Sequence, residues 1–166
     1  QYLTRLGLVL GEPQSLEDGK QAWLDAPEWQ GLRRLVEDSF VVSDPFELFV
    51  AQNFALDGLL YPLIYGGFVD DHVALQGGTA VAMLTSFMPE WHDETARWID
   101  AVIKAAGAES DANKALLRGW AGHWMDRAQA ALSPIARLAL GETGETVLSD
   151  ARVQLQARLA KTGVTA

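Results

Sequence analysis

The stretch from Pro45 to about Tyr65 constrains this chain more than any other, because it is apolar on two opposite sides of a helix. One stripe reads Phe46, Phe49, Val50, Phe54, Leu60, Tyr61 and Ile64; the other reads Leu48, Ala51, Ala55, Leu56, Leu59 and Leu63. A surface helix needs only one apolar stripe, so a helix with two belongs in the middle of something large. The Ser43-Asp44-Pro45 cluster predicts its start. Pro62 predicts a kink in its last turn, and Gly66-Gly67 predicts its end. It is not read as a bilayer span: Glu47, Gln52, Asn53 and Asp57 interrupt it, and a charged group at bilayer depth costs about 2.5–3.5 kcal/mol.

Helical periodicity dominates the rest, and no segment alternates as a strand. Ser15 is the expected N-cap of a helix running to about Ala26. A second helix begins near Pro27, with Trp29, Leu32, Leu35, Val36 and Phe40 at helical spacing. Beyond Asp70-Asp71-His72, Gly77-Gly78-Thr79 opens another helix. There Val81, Leu84, Met88, Trp91, Trp98 and Val102 follow the alternating three-and-four spacing of an antiparallel seam. Pro89 interrupts it and Gly107 ends it. Ser110-Asp111 caps the next helix, with the stripe Leu117, Trp120, Trp124, Ala128, Ala131, Ile135 and Leu138, stopped by Gly141. A last helix from Glu145 to about Lys161 turns Leu148, Leu155 and Leu159 inward. Short, glycine-marked connections imply antiparallel neighbours. The expectation is one all-α, multi-helix bundle over residues 1–166.

Composition removes several function classes. The chain has 166 residues and Cys 0, which excludes disulfide scaffolds, zinc ribbons, protein-held iron–sulfur clusters and cysteine nucleophiles. Its 13 basic and 22 acidic residues leave a net charge of -9, which repels phosphate backbones and anionic lipid, and the basic residues form no stripe. Neither a nucleic-acid nor a membrane partner is expected. No basic region precedes an apolar stretch, so no secretory signal is read. The chain opens on Gln1 rather than Met, and is expected to have been processed or to be a fragment.

Helical bundles with this much core often house a carboxylate-bridged di-iron centre, which needs two Glu-x-x-His pairs aimed at one point. The histidines here are His72, His92 and His123, preceded three residues earlier by Val69, Pro89 and Trp120. None is an acid, so the chain cannot build that centre by itself. Glu90-Trp91-His92-Asp93-Glu94 is spread around the helix circumference and reads as a solvated turn. His123, followed by Asp126, reads as a core or interface histidine. Gly77-Gly78-Thr79 and Gly141-Glu142-Thr143-Gly144 lack phosphate-loop spacing and read as a helix start and a turn.

Two features exceed background. Gln52, Asn53 and Asp57 lie on the apolar central helix, with Asn53 and Asp57 four apart on one face and Gln52 elsewhere. Buried polar groups without partners cost about 1–3 kcal/mol each, so these three are expected in a polar core or at a subunit interface. A ligand site is the rival reading. Glu90, Glu94 and Arg97 continue the line of Met83 and Phe87, and Glu94 with Arg97 is spaced for an i, i+3 ion pair. A guanidinium there would supply among carboxylates the positive charge that a metal otherwise supplies. The chain also carries Trp 6, many for its length, and large aromatics anchor subunit contacts as well as cores.

The run Asp44-Pro45-Phe46-Glu47-Leu48-Phe49-Val50-Ala51-Gln52-Asn53-Phe54-Ala55-Leu56-Asp57-Gly58, followed by Leu60-Tyr61-Pro62-Leu63, carries a family resemblance. It is similar to the β subunit of the hydroxylase component of bacterial multicomponent monooxygenases, of the phenol hydroxylase and toluene monooxygenase type. Gly77-Gly78-Thr79-Ala80, Ser86-Phe87-Met88-Pro89-Glu90-Trp91-His92-Asp93-Glu94 and Glu109-Ser110-Asp111-Ala112-Asn113-Lys114 extend it over essentially the whole chain, which resembles only the later portion of such a subunit.

The resemblance implies a ferritin-like, ribonucleotide-reductase-like helical fold and an (αβγ)2 hydroxylase with its di-iron centre in the α subunit alone. It implies partners beyond that: a γ subunit, an effector protein, and a reductase carrying FAD and [2Fe-2S]. It implies that Glu94 and Arg97 stand where the α subunit carries a metal motif, that this chain holds no cofactor and no catalytic residue, and that it works in the bacterial cytoplasm. Two rivals stay open: a stand-alone ferritin-like carboxylate metal protein, and a helical bundle that binds an apolar ligand near Asn53 and Asp57.

Overall fold

A computed structural model describes residues 2–9 and 11–164. The described residues are helical apart from short turns, with no strand among them. Helix α1 spans Tyr2–Val9, α2 Ser15–Asp25, and α3 Gln30–Ser39 after a 3-10 turn at Pro27–Trp29. A continuous helical stretch, α4, runs Pro45–Gln76. It begins as α-helix (Pro45–Phe49), widens to π geometry over Val50–Leu56, tightens at Asp57–Tyr61, and is π again over Pro62–Val73. Then come α5 (Thr79–Thr85), α6 (Phe87–Glu109), α7 (Asp111–Leu140) and α8 (Gly144–Lys161).

The start signals hold where a side chain reaches the backbone. An Asp44 carboxylate oxygen accepts from the backbone N–H of Phe46 at 2.8 Å and of Glu47 at 3.3 Å, with Pro45 in the first turn. Ser110 accepts from the Asn113 N–H at 3.1 Å and so starts α7. Ser15 does not cap α2; Gln14 precedes that helix and no side chain bonds to its first turn.

Three expectations need correction. The central helix does not stop at Gly66-Gly67. A Cβ on Gly67 would meet Val147 Cγ1 at 2.8 Å and Leu140 Cδ1 at 3.3 Å, so that glycine admits α8 rather than ending α4. Pro89 sits in the first turn of α6, where a missing N–H costs nothing, and the break falls at Ser86. The α6 seam is also rotated: Ala96, Ile99, Ile103 and Gly107 are buried, whereas Trp91 and Trp98 face outward.

The core forms where α4, α6 and α8 close around α7. Phe54, Leu59 and Leu63 of α4, Ile99 and Ile103 of α6, Leu132 and Ile135 of α7, and Leu148 and Leu155 of α8 are essentially inaccessible. Each such side chain contributes about 1.5–3 kcal/mol of burial. By length and composition alone α4 would pass for a membrane span, but its most apolar residues are consumed here. Polar ties pin the periphery: the Trp124 indole N–H donates to Glu47 at 3.0 Å, Arg152 reaches Gln129 at 2.8 Å and also Asp126, and Arg127 reaches Asp38.

The turn between α7 and α8 is the tightest approach. A Cβ on Gly144 would lie 2.2 Å from the Ala136 carbonyl oxygen and 2.4 Å from its carbon, both backbone. Gly144→Ala is therefore expected to destabilise the chain by about 3 kcal/mol, at the upper end for overpacking. Gly119→Ala, in the same α7 with open space around it, is expected to stabilise by about 0.4–1 kcal/mol. Urea unfolding of both variants checks the pair.

Candidate functional site

Opposite its buried stripe, α6 presents Phe87, Trp91 and Trp98, which are 50%, 53% and 57% exposed. Their spacing of four and seven residues puts them in one line, with exposed Glu94 among them. Two aromatic rungs join this line to α4. Phe49 meets Trp98 edge-on at 5.4 Å between ring centroids, and Tyr61 meets Trp91 at 6.0 Å. Phe46 backs Phe49 at 5.5 Å, and Tyr65 backs Tyr61 at 5.2 Å. The result is a two-helix face, half-buried along α4 and open along α6.

The polar residues singled out on α4 divide. Gln52 is exposed, in a small groove beside Phe40, Leu56 and Trp124. Asn53 and Asp57 are half-buried, and the charge of Asp57 is felt at Tyr61. The Asn53 amide donates to the Phe49 carbonyl at 3.3 Å, within its own helix. Asp57 has no hydrogen bond or salt bridge among the described residues, and burial pushes its carboxyl from 3.8 up to about 6. The Tyr61 hydroxyl rises to about 12, through burial first, then the charge of Asp57 and the neighbouring Tyr65.

Glu94 and Arg97 do not form the expected ion pair. Both side chains are exposed, and no salt bridge joins them among the described residues. In water such a pair gains too little Coulomb energy to hold two long side chains in one geometry. No group of three or more His, Asp or Glu residues able to hold a metal occurs among the described residues. Asp57 acts on the Tyr61 hydroxyl, and Arg97, three residues from Glu94, carries a guanidinium with no lone pair to give. The donor set does not fit a di-iron centre.

Sequence reasoning missed a cavity of about 250 Å³ where α4, α6 and α8 meet. Gly58, Ala96 and Ala151 leave the space, and Tyr61, His92, Gln154 and Arg158 edge it. His92 is not in a solvated turn. It lies in the second turn of α6 with its ring stacked on Tyr61 at 4.7 Å. Burial and the nearby Arg158 charge lower its pKa from 6.5, against a smaller opposing pull from Asp93. Arg158 is gripped by both oxygens of Asp100, at 2.8 and 3.2 Å, and lies 5.6 Å from the Phe54 ring. His123 is exposed at the edge of Trp124. The cavity's walls come one small residue at a time from three helices, so no local pattern announced it.

The methane/phenol/alkene hydroxylase family matches residues 1–110 of this chain. The phenol 2-monooxygenase oxygenase component DmpL of Pseudomonas sp. (strain CF600) is 49% identical over 166 residues, 99% of this chain and 49% of that protein. The toluene-4-monooxygenase system hydroxylase component subunit beta of Ectopseudomonas mendocina is 27% identical over 115 residues, covering 69% of this chain and 35% of its own length. Among solved structures, a crystal structure of xenon-pressurized phenol hydroxylase from Pseudomonas sp. OX1 superimposes with a TM-score of 0.86 at 42% identity. That match covers 98% of this chain and 49% of the other. The all-α, ferritin-like fold is thereby shown. The chain spans about half the length of the phenol hydroxylase relatives it matches.

The raised Asp57 carboxyl has a stability signature. Its folded pKa of about 6 lies above the ordinary 3.8, so the native state holds a proton that the unfolded state has released. The stabilisation is complete below about pH 4 and lost as pH rises through about 6. Screened by solvent, it amounts to about 1 kcal/mol. Asp57→Asn is expected to flatten that slope, read from thermal unfolding between pH 4.5 and 7.5.

Proposed function

This chain belongs to the methane/phenol/alkene hydroxylase family, and from that premise we propose that it serves as a non-catalytic, β-type structural subunit of a di-iron aromatic monooxygenase hydroxylase. The observation that carries this reading is the open aromatic line Phe87–Trp91–Trp98 on α6. Three large rings in one row, half in water, suit a surface that another polypeptide covers. The absence of any acid three residues ahead of His72, His92 or His123 supports the non-catalytic half of the reading.

In this assignment the partner α subunit holds the di-iron centre and carries out the NADH- and O2-dependent hydroxylation of phenol or a related aromatic. A γ subunit completes an (αβγ)2 assembly. A reductase with FAD and [2Fe-2S] supplies electrons, and an effector protein docks on the hydroxylase, all in the bacterial cytoplasm. The names of the relatives, oxygenase and hydroxylase components of phenol and toluene monooxygenases, support the assignment. This chain's own part is mechanical: α7 and α8 give a stiff base, and α4 with α6 offer the aromatic face.

Co-purification with a cognate α subunit tests this. The expected outcome is a stable complex whose iron tracks the α subunit, with no stoichiometric iron in this chain alone. A spin-coupled iron pair bound by the isolated chain would overturn it.

A further inference from the structure

The cavity where α4, α6 and α8 meet is built in two parts. Gly58, Ala96, Ala151 and Leu155 are buried in its floor, and Asp70, Asp93 and Gln154 are exposed at its rim. Its volume of about 250 Å³ exceeds the roughly 150 Å³ that holds one benzene ring in an apolar core. Two polar groups of the lining have capacity to spare. Arg158 spends Nε and Nη2 on Asp100, and Nη2 also on the Ala96 carbonyl at 3.4 Å, while Nη1 makes no hydrogen bond among the described residues. The Asp93 carboxylate lies 3.8 Å from Nδ1 of His92, which favours the proton on that nitrogen and leaves Nε2 an acceptor. No hydrogen bond to Nε2 occurs among the described residues. Burial and the Arg158 charge oppose protonation, so the imidazole stays neutral.

We propose that this cavity binds a small, neutral aromatic alcohol of about the size of phenol, with its ring on Ala96, Ala151 and Leu155 and its hydroxyl against His92 and Arg158. The chemistry of the lining selects that class. Asp70 and Asp93 at the rim repel a carboxylate, and the Arg158 guanidinium repels an ammonium. A plain hydrocarbon would leave the spare polar groups dry and unpaired. A hydroxyl both donates and accepts, so it suits the neutral Nε2 and the Nη1 N–H groups alike. Tyr61, stacked on the imidazole at 4.7 Å, holds that ring in place. The inference goes beyond the subunit reading and does not depend on it, since it gives the scaffold chain a ligand site of its own.

The test labels this chain alone with 13C-methyl alanine and titrates phenol, with the cognate α subunit bound where co-purification succeeds. The Ala96 and Ala151 methyl signals report on the cavity even when phenol also binds elsewhere. The expected result is a saturable shift of both, with a Kd of about 1 mM or tighter, and weaker binding of benzoate and of benzylamine. Ala151→Leu fills the floor and is expected to weaken phenol at least about tenfold without lowering the thermal midpoint, read at the Ala96 methyl. Should that variant fail to fold by circular dichroism, Ala151→Val gives the same comparison. His92→Phe keeps an aromatic ring on Tyr61 and removes Nε2. It is expected to weaken phenol about fivefold and to leave benzene unchanged.

Methyl shifts that do not saturate, the result for a cavity that holds water only, would overturn the proposal. So would phenol binding that filling the floor leaves unchanged, benzoate or benzylamine binding as tightly as phenol, or an equal loss of phenol and benzene in His92→Phe. Co-purification with the α subunit is scored separately. Phenol binding by a chain that does not associate keeps this inference and removes the subunit reading; association without phenol binding does the reverse.

Discussion

Helix α4 draws its sealed side from both apolar stripes of its sequence and leaves the remaining apolar residues half-buried. Its inner side, with Val50, Phe54, Leu59 and Leu63, is sealed against α7 and α8. The outer side, with Phe46, Phe49, Leu60 and Ile64, is only half-buried, and α6 extends it with Trp91 and Trp98. Fully burying one such side chain contributes about 1.5–3 kcal/mol, and these four, packed against the core but only half-buried, realise part of it. The rest of the structure follows from this imbalance. The α7–α8 side is packed down to backbone contact at Gly144, whereas the α4–α6 side is built to be closed by something else.

Much of this was legible in the chain. Periodicity placed α7 and α8 and most of their inward residues, because a long helix averages over local noise. Asp44 and Ser110 announced their helix starts, because a cap is a local hydrogen bond. The misses have a common physical cause. Gly66-Gly67 read as a stop, but Gly67 is there so that Val147 can approach, and α8 is eighty residues away. Trp91 and Trp98 read as an internal seam because large rings usually are internal. The spacing was right and the side was wrong, since periodicity tells that residues share a face but not which way the face points. The resemblance to hydroxylase β subunits, by contrast, was carried by an unbroken run of residues and needed no packing information.

The polar residues show the same division. Asn53 and Asp57 stood out as intruders in an apolar helix, and both are half-buried, whereas Gln52 lies at a separate groove. Glu94 and Arg97 were adjacent by spacing alone, and spacing does not make an ion pair in water. What no local reading could supply was the cavity at Gly58, Ala96 and Ala151, or the stacking of His92 on Tyr61.

Asp100 and Asp57 make the informative contrast. Both are partly buried acids on the helices that frame the bundle. Asp100 has its counter-charge within the chain, in Arg158, with both oxygens engaged. Asp57 has none, and burial raises its pKa accordingly. A fold that closes one carboxylate with a bidentate guanidinium has the means to close another. Between α6 and α8 it has done so, and on the face where the aromatic rings are also left open it has not. Unmet charge and unburied rings at the same place are two independent signs, one electrostatic and one hydrophobic, that the α4–α6 face is the inside of a larger structure.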